Sequence, residues 1–190
     1  MPITEMRTVQ MPARLPQPGA SSAQRFGFGA HAPAAGQPST ESPSPVLAWE
    51  APEGWERLGP RSMRVVSFRV GNSDEAECYV SLLRGNAGGV EGNINRWRGQ
   101  MGLEPLDAGA LAAQPHIEAL GQRNALLDVA GDYADMQGDV HDDYALMGIV
   151  CALDDWSVFV KMIGPREVVQ GEAEAFKAFC ASLRLEGGHG

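Results

Sequence analysis

The stretch YALMGIVCALDDWSVFVKMI, residues 144–163, decides the fold. Its two apolar runs, Tyr144 to Leu153 and Trp156 to Ile163, are rich in β-branched and aromatic residues and are joined only by Asp154-Asp155. That pattern predicts an antiparallel strand pair with a tight turn. Neither run alternates cleanly with polar residues, so both faces of this part of the sheet are expected to be covered. Downstream, Gly164-Pro165 breaks the sheet and starts a helix, with Pro165 suited to the first turn and Glu167 to its positive end. Val169, Ala173, Phe176, Cys180 and Leu183 form its apolar stripe, Phe179 lies beside it, and Gly187-Gly188 are expected to end it.

Upstream, Val46-Leu47-Ala48-Trp49 reads as an opening strand, and the turn from Ala51 to Trp55 brings a tryptophan to the edge of the core. Met63 to Val70 and Ala76 to Leu83 are β-rich runs separated by Gly71-Asn72-Ser73-Asp74-Glu75, a hairpin signal. Val90, Ile94, Trp97 and Met101 recur at spacings of four, three and four, one face of a helix that stops at Gly102. A loop through Pro105, a helical turn at Asp107 to Ala113, and strands at His116 to Leu120 and Asn124 to Ala130 complete the series. Strands in succession with helices inserted between them predict an α+β fold, an antiparallel β-sheet flanked by helices, over residues 46–190.

Residues 1–45 are of another kind. They hold 8 of the 13 prolines, with Gly, Ala, Ser and Gln between them, and too few apolar groups to build a core. An extended Pro/Gly-rich arm is expected. Within it Ile3 to Met11 alternates weakly like one strand, and Arg25, Phe26 and Phe28 set a cation and two rings in a charge-poor stretch, side chains of the kind that anchor interfaces. A plain linker is the alternative.

The arm carries a net +1, so residues 46–190 hold −10 of the total −9. An acidic domain disfavours nucleic acid and anionic lipid as partners. No run approaches the 18 or so apolar residues of a membrane-spanning helix, and the first 30 residues lack the secretory-signal pattern. Cys78, Cys151 and Cys180 are odd in number and embedded in apolar runs, which reads as core packing rather than a disulfide framework.

No cofactor or metal site is called for. Asp132 to Asp143 gathers five carboxylates and His141, but matches neither the calcium-loop nor a zinc spacing, and a charged hairpin tip accounts for it. Hydrolytic chemistry has only Cys151 or Cys180 with His116 or His141 and an Asp to draw on, and thiols in apolar runs are ordinarily inert. Gly85 to Gly89 lacks the phosphate-loop patterns and reads as a tight strand-to-helix turn. On the helix that follows, Asn93, Asn95, Arg96 and Arg98 are expected off the apolar face. Asn93, Arg96 and Arg98 are therefore partner-binding candidates beside Arg25, Phe26 and Phe28.

Three passages, WEAPEGW (Trp49 to Trp55), GGVEGNINRWRGQMGL (Gly88 to Leu103) and KMIGP (Lys161 to Pro165) running into F-x-x-F-x-x-S-L-R (Phe176 to Arg184), resemble a family of uncharacterised bacterial proteins, often lipoproteins, whose domain is similar to the PsbP-type α/β/α sandwich. The resemblance covers about residues 46–185. It implies no catalytic residues and an accessory or structural role. The expected partners are protein subunits of a larger membrane complex, photosynthetic or respiratory, with the chain peripherally bound, extracytoplasmic and the arm laid along the partner. The lipid-bearing Cys of lipoprotein members has no counterpart before Cys78. A freestanding periplasmic or surface lipoprotein-like binding module is the first alternative and a hydrolase the second.

Overall fold

The computed structural model describes residues 44–186. Arg25, Phe26, Phe28 and the Ile3 to Met11 segment lie outside the described residues, as do Gly187 and Gly188. In chain order the elements are β1 (Val46–Ala48), β2 (Glu56–Arg57), β3 (Val66–Val70), β4 (Ser73–Arg84), α1 (Gly89–Gln100), α2 (Ala108–Ala112), β5 (His116–Ala119), β6 (Gln122–Ala125), β7 (Leu127–Ala134), β8 (Val140–Ala152), β9 (Trp156–Pro165), α3 (Arg166–Gly171), α4 (Ala173–Ser182) and β10 (Arg184–Glu186). The fold is α+β. Its main sheet runs β2-β3-β4-β9-β8-β7, every neighbour antiparallel, and β1-β10 and β5-β6 form separate two-stranded ribbons.

Residues 144–163 form the centre of that sheet. Tyr144 to Ala152 of β8 pair with Ser157 to Pro165 of β9, and β9 pairs in turn with β4 from Glu77 to Arg84. Alternation then sorts the side chains between two faces. Leu146 and Val150 with Phe159 and Ile163 join Ile94, Trp97 and Met101 of α1 in one buried cluster. Met147, Ile149 and Cys151 with Val158, Val160 and Met162 join Val169 of α3 and Phe176, Phe179 and Cys180 of α4 in the other. Both faces are covered because both sets of side chains are apolar, and the result is three layers.

Two glycines fix how closely α1 lies on the sheet. A Cβ on Gly148 would stand 2.5 Å from Trp97 Cζ3, and one on Gly131 2.6 Å from the Met101 carbonyl oxygen. Any side chain at either position would lift the helix. On the other face Trp55, Phe68 and Phe179 pack with ring centroids 5.4–5.8 Å apart. The Trp55 indole N–H donates to Glu172 Oε2 at 2.9 Å, so the tryptophan closes the core edge and the polar tip is satisfied.

Three element readings change. The helix after Pro165 is two helices: α3 stops at Gly171 and α4 starts after Glu172, whose backbone (φ −97°, ψ 6°) is non-helical. The second helix ends at Ser182 rather than at Gly187-Gly188, because Leu183 turns extended (φ −65°, ψ 131°) and leads into β10, which pairs with β1. The segment from Asn124 to Ala130 divides between β6, paired with β5, and β7, paired with β8. Among the described residues, no helix is long and apolar enough to cross a membrane.

Candidate functional site

Helix α1 covers only part of its face of the sheet. Beside its C-terminal end a groove of about 420 Å³ opens over β4 and β9, closed at one end by the β7-β8 hairpin. Its floor is Lys161. Strand alternation puts this residue on the α1 face between Phe159 and Ile163, and register places Tyr79 on one side of it and Gly148 on the other. Since Gly148 has no side chain, Trp97 drops into that space and becomes a wall of the lysine's chamber. Lys161 is 2% exposed. Its ammonium donates to Gln100 Oε1 at 2.8 Å and lies 5.1 Å from the Tyr133 ring centroid and 5.9 Å from that of Trp97.

Among the described residues no carboxylate forms an ion pair with Lys161. The nearby Glu77 is taken by Arg64 and by Arg61, the latter at 3.4 Å. Burial, aided by the positive charges of Arg96 and Arg64, therefore lowers the lysine's pKa from 10.5 to about 7. The same burial drives the Tyr79 phenol up to about 12, with the Arg64 guanidinium stacked 3.8 Å above its ring. Tyr133 and Tyr144 are also raised, first by burial.

The hairpin end of the groove is aromatic. Tyr133 and Tyr144 stack at 6.1 Å with 7° between planes, and His141 lies 5.0 Å from Tyr144. These residues sit on one face because Tyr133 pairs with His141 across the β7-β8 ladder, beyond a bulge that follows Gly131. At the tip, Asp135 accepts from the Gln137 and Asp139 backbone N–H groups at 2.9 Å and meets His141 Nε2 at 3.4 Å. Burial raises this carboxylate, but the His141 and backbone hydrogen bonds prevail and hold it below its usual value. Among the described residues, no three His, Cys, Asp or Glu side chains converge so as to hold a metal ion. A second cavity, about 260 Å³, is walled by the single segment from Arg57 to Ser67.

The cysteine-histidine arrangement does not assemble. Cys78, Cys151 and Cys180 are free thiols buried on the α3-α4 face, whereas His141 is on the α1 face and His116 is exposed on β5. Burial pushes Cys78 and Cys180 well above their usual value and Cys151 to about 12.

The partner-binding candidates on α1 separate. Asn93 is not on the outer face: it is 3% exposed, and its Nδ2 donates to the carbonyls of Ala87 at 2.9 Å and Gly89 at 2.6 Å. It braces the turn at Gly88, whose φ of 91° starts the helix without a side-chain cap. Arg98 Nε donates to the Glu104 carbonyl at 2.8 Å, tying down the loop after the helix. Arg96 is exposed, and its charge reaches Lys161 and Tyr79, so of the three it alone belongs to the groove's surroundings. Lys161 was not among the sequence candidates, although a lone charge at the centre of the apolar run Val158 to Ile163 was visible.

No protein-family model matches this chain, and no curated protein matches it in sequence. Among solved structures, the chain is similar to LpqN of Mycobacterium tuberculosis, a protein involved in cell envelope biogenesis, with a TM-score of 0.53 over 77% of this chain and 87% of that one. At 11% identity, the likeness is one of fold. A Bacteroides thetaiotaomicron protein solved at 1.50 Å resolution aligns with a TM-score of 0.46 and 11% identity over 75% of this chain, which spans 46% of that protein's length.

Proposed function

We propose that this chain is a non-catalytic bacterial binding module of the cell envelope, which holds its ligand in the groove over Lys161. One observation carries the reading: a buried ammonium with no carboxylate partner among the described residues forms the floor of an aromatic-walled groove. A purely structural position in a central strand is cheaper to fill with an apolar side chain, because desolvating an unpaired charge is strongly unfavourable. Keeping a lysine there serves what enters the groove. The non-catalytic part draws on the sheet itself, which separates the buried thiols from His141. The envelope assignment draws on the fold shared with LpqN.

A narrower reading adds that the module is an accessory subunit peripherally bound to a membrane complex, photosynthetic or respiratory, with the arm laid along its partner. What speaks for it is the sequence resemblance of residues 46–185 to proteins with a PsbP-type domain, with which helices on both faces of the sheet are compatible. Both readings are tested on full-length protein purified from bacterial envelope fractions. Native mass spectrometry should find a bound mass on the wild type that is missing from Lys161→Met; ligand-free masses for both would overturn the groove reading. Co-migration with a large complex in mild detergent supports the subunit, and elution near 20.3 kDa removes it.

A further inference from the structure

Of the chain's 15 basic residues, only Lys161 and Lys177 are lysines. Lys177 is on α4, 39% exposed and paired with Glu174 at 2.7 Å. The other is buried on the groove floor, in a protein that otherwise uses arginine. The two side chains differ in what burial does to them. A guanidinium stays charged, whereas a desolvated lysine beside other cations gives up its proton and presents a nucleophilic lone pair. Lys161 has both conditions, burial and the nearby charges of Arg64 and Arg96. Lys161 Nζ donates a hydrogen bond to Gln100 Oε1 at 2.8 Å, which fixes the direction of the nitrogen.

We propose that Lys161 is a covalent binding site, whose amine condenses with the carbonyl carbon of an aldehyde or ketone ligand seated in the groove and holds it as an imine. This rests on the groove being the ligand site and names the ligand's reactive group. The Nζ lone pair forms the new C–N bond while the carbonyl π pair moves to oxygen. A proton passes from nitrogen to that oxygen, giving a carbinolamine. Loss of the hydroxyl with the second nitrogen-bound hydrogen, as water, leaves C=N. Nothing is oxidised or reduced, and no further reactant is needed. When the imine is protonated, its positive charge faces the Tyr133 and Trp97 rings that already flank the nitrogen at 5.1 and 5.9 Å.

Two lysines make the experiment simple. Full-length protein is treated near pH 7 with acetaldehyde and sodium cyanoborohydride, which reduces C=N to a stable secondary amine, and the labelled sites are read by peptide mass mapping. Lys161 is expected to be labelled on the order of tenfold faster than Lys177, with a rate that levels off just above neutral pH. Labelling of Lys177 with Lys161 untouched would overturn the proposal. If, in that event, a ligand still co-purifies and is lost in Lys161→Met, the groove binds without an imine, through charge pairing. If Lys161 is labelled but nothing co-purifies, the covalent chemistry stands and the groove's proposed role falls.

Discussion

Lys161→Met is expected to make the protein more stable at neutral pH, and the gain is expected to shrink as pH rises. The folded chain holds the lysine's proton less tightly than the unfolded chain, at about 7 against 10.5. Between those values the unfolded state carries more protons, so stability rises with pH across that window; below about 7 the penalty is complete. At roughly 1.4 kcal/mol per pKa unit, the charge costs folding about 4 kcal/mol at pH 7 and about 3 kcal/mol at pH 8.5. Against that, methionine leaves Gln100 Oε1 without the donor it now has, at a cost of about 1–2 kcal/mol. Methionine fills nearly the same volume without a charge, so a gain of roughly 2–3 kcal/mol at pH 7 is expected. Urea unfolding of both proteins between about pH 7 and 8.5 reads it directly. That interval avoids higher pH, where the raised thiols and phenols give the opposite slope. A variant less stable than the wild type at pH 7, or equal pH slopes in the two, would refute the picture of an uncompensated buried charge.

Two further changes test the architecture around the groove. Gly148→Ala puts a methyl where Trp97 now lies, and should cost about 1–3 kcal/mol by overpacking, with a change in Trp97 fluorescence as α1 lifts; an unshifted urea midpoint would contradict the close approach. Asn93→Ala removes the side-chain donor from the Ala87 and Gly89 carbonyls and should cost about 1–2 kcal/mol in the same assay, whereas a loss of partner binding at unchanged stability would restore Asn93 to the surface role first expected of it.

The legible part of the fold was the part written in side-chain periodicity. The apolar runs around Asp154-Asp155 are β8 and β9, and the Val90, Ile94, Trp97, Met101 spacing is α1. Covering of both faces followed from the lack of polar alternation. What periodicity misses is backbone geometry set by distant contacts. The stripe from Val169 to Leu183 continues across Glu172, so the break there left no gap in the pattern, and β10 forms because β1 is available to pair with it. The groove was hidden for a related reason. Tyr79, Gln100, Tyr133 and Lys161 come from four elements, and only the sheet order brings them together. Asn93 misled because a residue four on from Gly89 and three on from Val90 is still on the inner side of the first helical turn.

The β1-β10 ribbon has a mechanical consequence. Val46 is paired with Glu186 and Ala48 with Arg184, so the first and last of the described strands meet at their outer ends. Tension applied through those ends would open the three pairs one after another, as a zipper opens, rather than shearing them at once. The ribbon would yield first, at low force, and spare the six-stranded sheet behind it. The same adjacency lets a short linker join 186 to 46 and new termini be cut elsewhere, so a circular permutant of this domain should keep its sheet order.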